Sequence, residues 1–445
     1  MQLTIIGGGG FRTPLVYRAL LDDPTRLIDR VVLVDTDVRR LGVIESVLAG
    51  FAHGRPWSPR VVATTDLRSG LAGAAFVFSA IRPGGPEGRE YDENIPLRHG
   101  VLGQETVGIG GILFALRSIP AMLDIARAVV DVAPEAWLIN FTNPAGMVTE
   151  ALHSVLGDRV IGICDSPASL VRRVGRALNI PVGQEKFDYV GLNHLGWLRS
   201  IRHDSGPDLL PALLADKPSL ESFEEGQLFG SQLLRSLGCI PNEYLHYFYY
   251  AADVLASVSG TTSRASYLRA QQSDFYAAAR ANSSPASVWQ SAVDERNRTY
   301  MAVSREAAGA DERHPDDVEG GGYEQIALAV MRAIATNGDE TLILNVRNAG
   351  AVPDLDNDAV VEIPTVVGKS GPIALPVGVL SDHQVGLMRE IKAVERATID
   401  AATTGSLGSA YAALAMHPLN GSFARATRIL DEWLPHFPDV TVRLH

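Results

Sequence analysis

The chain has 445 residues, 46% hydrophobic and 20% charged, which is enough to bury a substantial core and too apolar for a disordered segment. Its formal net charge of −12 is dispersed, which excludes the basic face that a nucleic-acid binder needs. Two cysteines, Cys164 and Cys239, are too few for a disulfide framework and predict a reducing, cytoplasmic setting. No signal peptide is read, and no stretch of about 18 apolar residues, so no membrane span is expected.

Taken in chain order, short apolar runs at 3–6, 31–34, 61–63, 75–79, 137–140 and 160–164 read as strands. Helical patterns lie between them at 14–21, 38–51, 113–130, 144–156 and 169–178, with Pro14 and Pro144 at first-turn positions. This alternation predicts an α/β fold, a Rossmann-like doubly wound parallel sheet over residues 1–185. Residues 186–445 are expected to form an α+β region for substrate and metal binding and for oligomerisation. In it, 187–201 reads as one or two strands, and 228–237, 325–335 and 383–402 as helices. Residues 352–376 read as an irregular Pro/Gly-rich segment and 311–322 as a polar loop.

Gly7-Gly8-Gly9-Gly10 follows the first strand and precedes a helix. Glycines let backbone approach a pyrophosphate, and a helix N-terminus offers it free N–H groups. The second strand ends at Asp35, whose carboxylate can accept from a ribose 2′-hydroxyl and so favours NAD. Arg39 and Arg40 nearby could instead meet a 2′-phosphate. The third glycine of the G-x-G-x-x-G pattern is replaced by Arg12 or Thr13, and an ordinary glycine turn is the plain alternative.

Cys164 ends the 160–164 run, and His194 follows thirty residues on in Gly191-Leu192-Asn193-His194-Leu195-Gly196-Trp197. Ligands of open α/β sheets bind beyond the carboxyl ends of strands. A thiolate and an imidazole there can hold a soft divalent metal with positions open for substrate. Taken alone, a buried structural cysteine and a satisfied core histidine explain the pair equally simply.

Several segments together resemble glycoside hydrolase family 4, the NAD- and divalent-metal-dependent glycosidases. They are the Gly7–Gly10 turn, Gly103-Gln104-Glu105-Thr106-Val107-Gly108-Ile109-Gly110-Gly111, Asn140-Phe141-Thr142-Asn143, Ile163-Cys164-Asp165-Ser166-Pro167 and the segment around His194. A further one, Ile240-Pro241-Asn242-Glu243-Tyr244-Leu245, is similar to the 6-phospho-β-glucosidase branch. The resemblance implies a sheet like that of lactate and malate dehydrogenases. It implies Cys164 and His194 as ligands of Mn²⁺ or another divalent metal, Tyr244 as base and Asp165 as a candidate acid or a structural strut. The implied NAD contacts are Gly7, Gly8, Gly9, Gly10, Phe11, Arg12, Thr13, Asp35, Arg82 and Asn140; the implied substrate contacts are Arg82, Asn143 and Arg264, the two arginines meeting a 6-phosphate.

The implied reaction oxidises the sugar C3, removes the C2 proton, eliminates the aglycone, adds water and re-reduces C3, so the net change is hydrolysis. Nearby metal charge is expected to lower the Tyr244 pKa. The expected partner is a phosphorylated disaccharide or β-glucoside, with no nucleic acid or membrane, in a homodimer or homotetramer. Three alternatives stay open: a plain NAD-dependent dehydrogenase of the lactate/malate type, a family 4 enzyme for α-linked or unphosphorylated sugars, and a non-enzymatic NAD sensor.

Overall fold

The computed structural model describes residues 1–258, 263–300, 305 and 322–445. Strands β1 (Gln2–Ile6), β2 (Arg30–Val34), β3 (Arg60–Thr64), β4 (Ala74–Ser79), β5 (Trp137–Asn140) and β6 (Val160–Gly162) pair in parallel in the order β3-β2-β1-β4-β5-β6. Successive side chains leave a strand on opposite faces. Val31 and Leu33 therefore enter one apolar cluster and Val32 and Val34 the other. Both faces are covered, which is why these strands read as unbroken apolar runs. Helices Thr13–Asp22 and Val38–Ala52 close the first face through Val16, Leu20, Ile44 and Val47. Helices Ile109–Val132 and Ala145–Leu156 close the second through Ile112, Leu116, Val148 and Leu152. The doubly wound reading is borne out.

Helix Ile109–Val132 corrects one expectation. It is long and apolar enough, by length and composition, to cross a membrane. Yet 83% of its apolar window is buried inside the protein. It packs between helices Ala145–Leu156 and Asp382–Thr404, and a helix enclosed by neighbours is apolar all round.

Beyond β6 the sheet continues without a break but turns antiparallel. β7 (Glu185–Leu192) and β8 (Leu195–His203) form a hairpin, and β9 (Ile240–Pro241), β10 (Glu340–Arg347), β11 (Val360–Gly368) and β12 (Gly371–Ala374) complete it. The order is β6-β10-β11-β7-β8-β9, with β12 on β11. The stretch 352–376, read as irregular, thus contains two strands. Pro364 hid β11, because a proline lacks the N–H that a ladder uses; its carbonyl accepts from Leu375 N at 3.0 Å. A second element escaped the sequence reading, helix Gly85–Arg98. It buries Arg89, Asp92 and Glu93 in ion pairs, so no apolar period marks it. The expected loop 311–322 falls, up to residue 321, outside the described residues.

Two single-residue junctions hold the continuous sheet together, the first between its parallel and antiparallel parts and the second within the antiparallel part. Gly162 pairs with Asn345, and Gly191 with Glu362. A Cβ at Gly162 would stand 2.7 Å from Asn345 Cβ, so a side chain there would part the strands. At the second junction Glu362 is 1% exposed. It accepts from Asn345 Nδ2 at 2.8 Å, Asn193 Nδ2 at 3.2 Å and the Tyr189 hydroxyl at 3.3 Å. One buried carboxyl so ties β10, β11 and β7 together behind the β7–β8 turn.

Candidate active site

At the carboxyl end of β1, Gly7 N and Gly8 N both donate to Val34 O at 2.9 Å, and Gly10 N to Gly7 O at 2.8 Å. Gly7 has φ +82°, and a Cβ at Gly8 would lie 2.7 Å from Leu33 Cα. The turn is therefore pressed against the backbone of β2. Gly9 N donates to Asp35 Oδ2 and Asp37 N to Asp35 Oδ1, each at 3.0 Å. The amides of Phe11 and Arg12, just before helix Thr13–Asp22, have no hydrogen bond among the described residues, as an anion site requires.

Three aromatic donors from the far half of the chain hold this turn from outside. The Tyr276 hydroxyl donates to Gly9 O at 2.7 Å, Trp289 Nε1 to Phe11 O at 2.8 Å and the Tyr323 hydroxyl to Arg12 O at 3.0 Å. Arg12 lies over the rings of Phe141 and Tyr323, 5.3 Å from each centroid.

A cavity of about 1180 Å³ opens beside the turn. Phe11, Arg12, Asn143, Cys164, Asp165, His194, Tyr244 and Arg264 all line it. Cys164 does not end a strand, as expected, but lies two residues past β6, in the loop entering helix Ser166–Ala177. That extra reach brings its sulfur to the cavity wall. His194 is the second residue of the two-residue β7–β8 turn, with φ +63°. A non-glycine residue there costs on the order of 1 kcal/mol, strain that surrounding structure must hold.

The hydrogen bonding fixes how His194 can act. Thr106 Oγ1 lies 3.2 Å from Gln104 Oε1 and 3.0 Å from His194 Nδ1. With its proton given to Gln104, the hydroxyl accepts from Nδ1–H, which leaves Nε2 with its lone pair free. Such an outer partner is what a metal-ligating imidazole needs. The His194 ring stacks on Tyr244, centroids 3.8 Å apart, and the Tyr244 hydroxyl meets that of Tyr300 at 3.0 Å.

Burial governs the charge states. It pushes His194 down to about 4, so the ring is neutral. Burial first, then Glu362 and Asp165, pushes the Cys164 thiol well up. Burial, with Tyr300, Glu243 and Cys164, also pushes Tyr244 well above the ordinary phenol value. The expectation of a lowered Tyr244 pKa therefore does not come from the protein alone. Cys164, His194 and Tyr244 are thus each pushed toward the uncharged form, and a cation beside them would offset that push on the thiol and the phenol. A divalent metal fits that donor set. Among the described residues no three His, Cys, Asp or Glu side chains group around one point; held by Cys164 and His194 alone, a metal would have positions open for substrate and water.

Beside His194, next to Thr106 in the chain, sits a cluster that the sequence reading did not assign. Glu105 accepts from Arg82 Nη2 and Arg89 Nη1, each at 2.6 Å. Burial alone would raise its carboxyl, but Arg89, Arg82, Arg296 and Arg12 hold it well below the usual range. Arg82 is thus committed to Glu105 and is not among the cavity-lining residues, whereas Arg89, Arg264 and Arg296 are. Arg264 donates to Thr299 Oγ1 at 2.8 Å and Arg296 O at 3.3 Å.

Asn140 is fully buried. Its amide nitrogen bonds Thr142 O, Ala145 O and Thr149 Oγ1, and its oxygen accepts from Thr142 N. The side chain shapes the loop that carries Asn143 instead of facing the cavity. Thr13 Oγ1 likewise turns back to Gly7 O at 3.4 Å. Glu243, which sequence reasoning also passed over, lines the cavity with its carboxyl pushed up to about 7 by burial. Its place beside Tyr244 was the signal available for it.

Comparison with known proteins agrees with this geometry. Residues 2–180 match the family described as Family 4 glycosyl hydrolase, and residues 189–420 match its C-terminal domain. The maltose-6′-phosphate glucosidase of Bacillus subtilis is 30% identical over 447 residues, covering 97% of this chain and 94% of that protein. The crystal structure of the Thermotoga maritima 6-phospho-beta-glucosidase with manganese, NAD⁺ and glucose-6-phosphate superposes with a TM-score of 0.82 at 26% identity, covering 99% of both chains. Malate dehydrogenase from Plasmodium falciparum shares the fold alone, with a TM-score of 0.53 at 10% identity over 91% of this chain and 98% of that one. From the glycine turn to the Cys164–His194 wall and across both matched stretches, the chain belongs to family 4 of the glycosyl hydrolases.

Proposed function

We propose that the protein hydrolyses 6-phospho-β-glucosides with NAD and a divalent metal, Mn²⁺ in the first instance. One observation carries the reading: Cys164, His194 and Tyr244 share a single cavity wall with the dinucleotide turn at its edge. When bound, NAD supplies a hydride acceptor for the sugar C3, and the metal withdraws electron density from the sugar oxygens. Tyr244 takes the C2 proton, and the aglycone leaves from C1. Tyr244 releases its own proton only with positive charge beside it, and Cys164 and His194 are the side chains that bring that charge. Asn143 meets a sugar hydroxyl and Arg264 the 6-phosphate, for which a guanidinium fork is suited.

A second reading, hydrolysis of 6-phospho-α-glucosides, is favoured by Asp165 lining the same cavity as Tyr244 and by α-acting relatives such as the Bacillus subtilis enzyme. The two anomers of 4-nitrophenyl 6-phospho-glucoside, each supplied with NAD⁺, Mn²⁺ and reductant, separate the readings. Nitrophenol release from the β anomer with no net NADH is expected. Release from the α anomer alone would replace the first reading with the second. NADH accumulating from a hydroxy acid, with both glucosides inert, would leave a dehydrogenase.

A further inference from the structure

A second cavity, about 490 Å³, lies past the carboxyl ends of β2 and β4 and beneath helix Arg264–Ala281. Its charged lining is Arg39, Arg40, Arg269 and Arg280 against Asp37 and Glu87. Four cations against two anions make it cationic in a chain whose net charge is −12. Arg269 is paired with Glu90, and Arg40 Nε lies 3.6 Å from Asp37. Arg39 and Arg280 are exposed and have no carboxylate partner among the described residues. The cavity touches the dinucleotide turn through Arg40, since a Cβ on Gly9 would lie 2.9 Å from Arg40 Cβ.

In a doubly wound sheet the adenosine ribose sits at the end of the second strand. An acidic residue there selects the 2′-hydroxyl, and an arginine accommodates a 2′-phosphate. Asp35 holds the selecting position, but each of its oxygens already accepts a backbone N–H, from Gly9 and from Asp37. Just after it Arg39 supplies a guanidinium without a counter-charge, and Arg40 one that shares Asp37.

Resting on the dinucleotide reading above, we propose that this cavity is a 2′-phosphate subsite, so that the protein takes up NADP⁺ as well as NAD⁺. Arg39 and Arg280 supply the free donors, and Arg40 closes the site against the ribose.

The test is calorimetric titration of the full chain with 5′-AMP, 2′,5′-ADP, NAD⁺ and NADP⁺, which needs no turnover. At low salt 2′,5′-ADP is expected to bind about tenfold tighter than 5′-AMP, from one or two charge-assisted contacts. That advantage should shrink as salt screens it. In Arg39→Ala and Arg280→Ala, both surface substitutions, the ratio of the two dissociation constants should fall toward one. Equal affinity for the two nucleotides, with NAD⁺ still bound, overturns the subsite and leaves the dinucleotide reading standing. A preference that survives both substitutions overturns its assignment to this cavity. Absence of binding by all four ligands overturns both.

Discussion

The turn at Gly7–Gly10 and the wall of Cys164, His194 and Tyr244 face one cleft yet are made in opposite ways. The turn is built from backbone: N–H groups, carbonyls and glycines whose missing side chains admit β2. Its readiness for an anion depends on no titration. The wall is built from buried ionisable side chains, each pushed by burial toward its uncharged form. The turn is thus complete as folded, whereas the wall becomes chemically competent only when positive charge enters.

The contrast breaks most visibly at the wall. Cys164→Ala should lower turnover of the phosphoglucoside by about 10³-fold, the loss expected when a Lewis acid worth several kcal/mol is no longer held. NAD⁺ affinity, read by fluorescence titration, should stay within about twofold because no backbone contact changes. A parallel loss of NAD⁺ binding would show that turn and wall are one unit. At the turn, Gly8→Ala should do the reverse. Its Cβ would meet Leu33 Cα at 2.7 Å, so overpacking of about 1–3 kcal/mol is expected, with weakened NAD⁺ binding and unchanged Mn²⁺ binding by electron paramagnetic resonance.

The smallest effect concerns the support of the wall. His417 is buried behind His194 in a small shared cavity, and burial pushes it down to about 3. Above its ordinary value of about 6.5 the ring is neutral in folded and unfolded chains alike. Below that value only the unfolded chain takes the proton, so stability is lost as pH falls from about 6.5 toward the folded value. Between pH 7 and pH 5 the wild type should lose about 2 kcal/mol through this group. His417→Gln lacks that loss. The melting-temperature gap between the two proteins should narrow at pH 5, and a constant gap would show that His417 takes up its proton equally in the folded and unfolded chains.

The parallel half of the sheet was legible because both of its faces are covered, so each strand announces itself as an apolar run between helices. The turn was legible for a related reason, since glycine spacing and position after a strand are local. What escaped was set by contacts far apart in the chain. Glu105 gains its meaning only from Arg82 and Arg89 folding onto it. Helix Gly85–Arg98 spends its inward positions on Arg89, Asp92 and Glu93, and so breaks the pattern that reveals helices. Asn140, a strand-end polar residue suited in sequence to a cofactor contact, proves to hold its own loop. Arg82 carries the chemistry of a phosphate ligand, and its ion pair with Glu105 is likewise a contact that no local pattern announces.

The three aromatic hydroxyl and indole donors on the glycine turn set an order in time. Tyr276, Trp289 and Tyr323 all leave the ribosome well after residues 7–12 that they hold. Early domains of a nascent chain can fold before later ones exist, so a half-made polypeptide can assemble its parallel sheet while the loop meant for the coenzyme still lacks its outer braces. A chain that has not yet emerged past residue 323 therefore carries the glycine turn without its full set of outer braces.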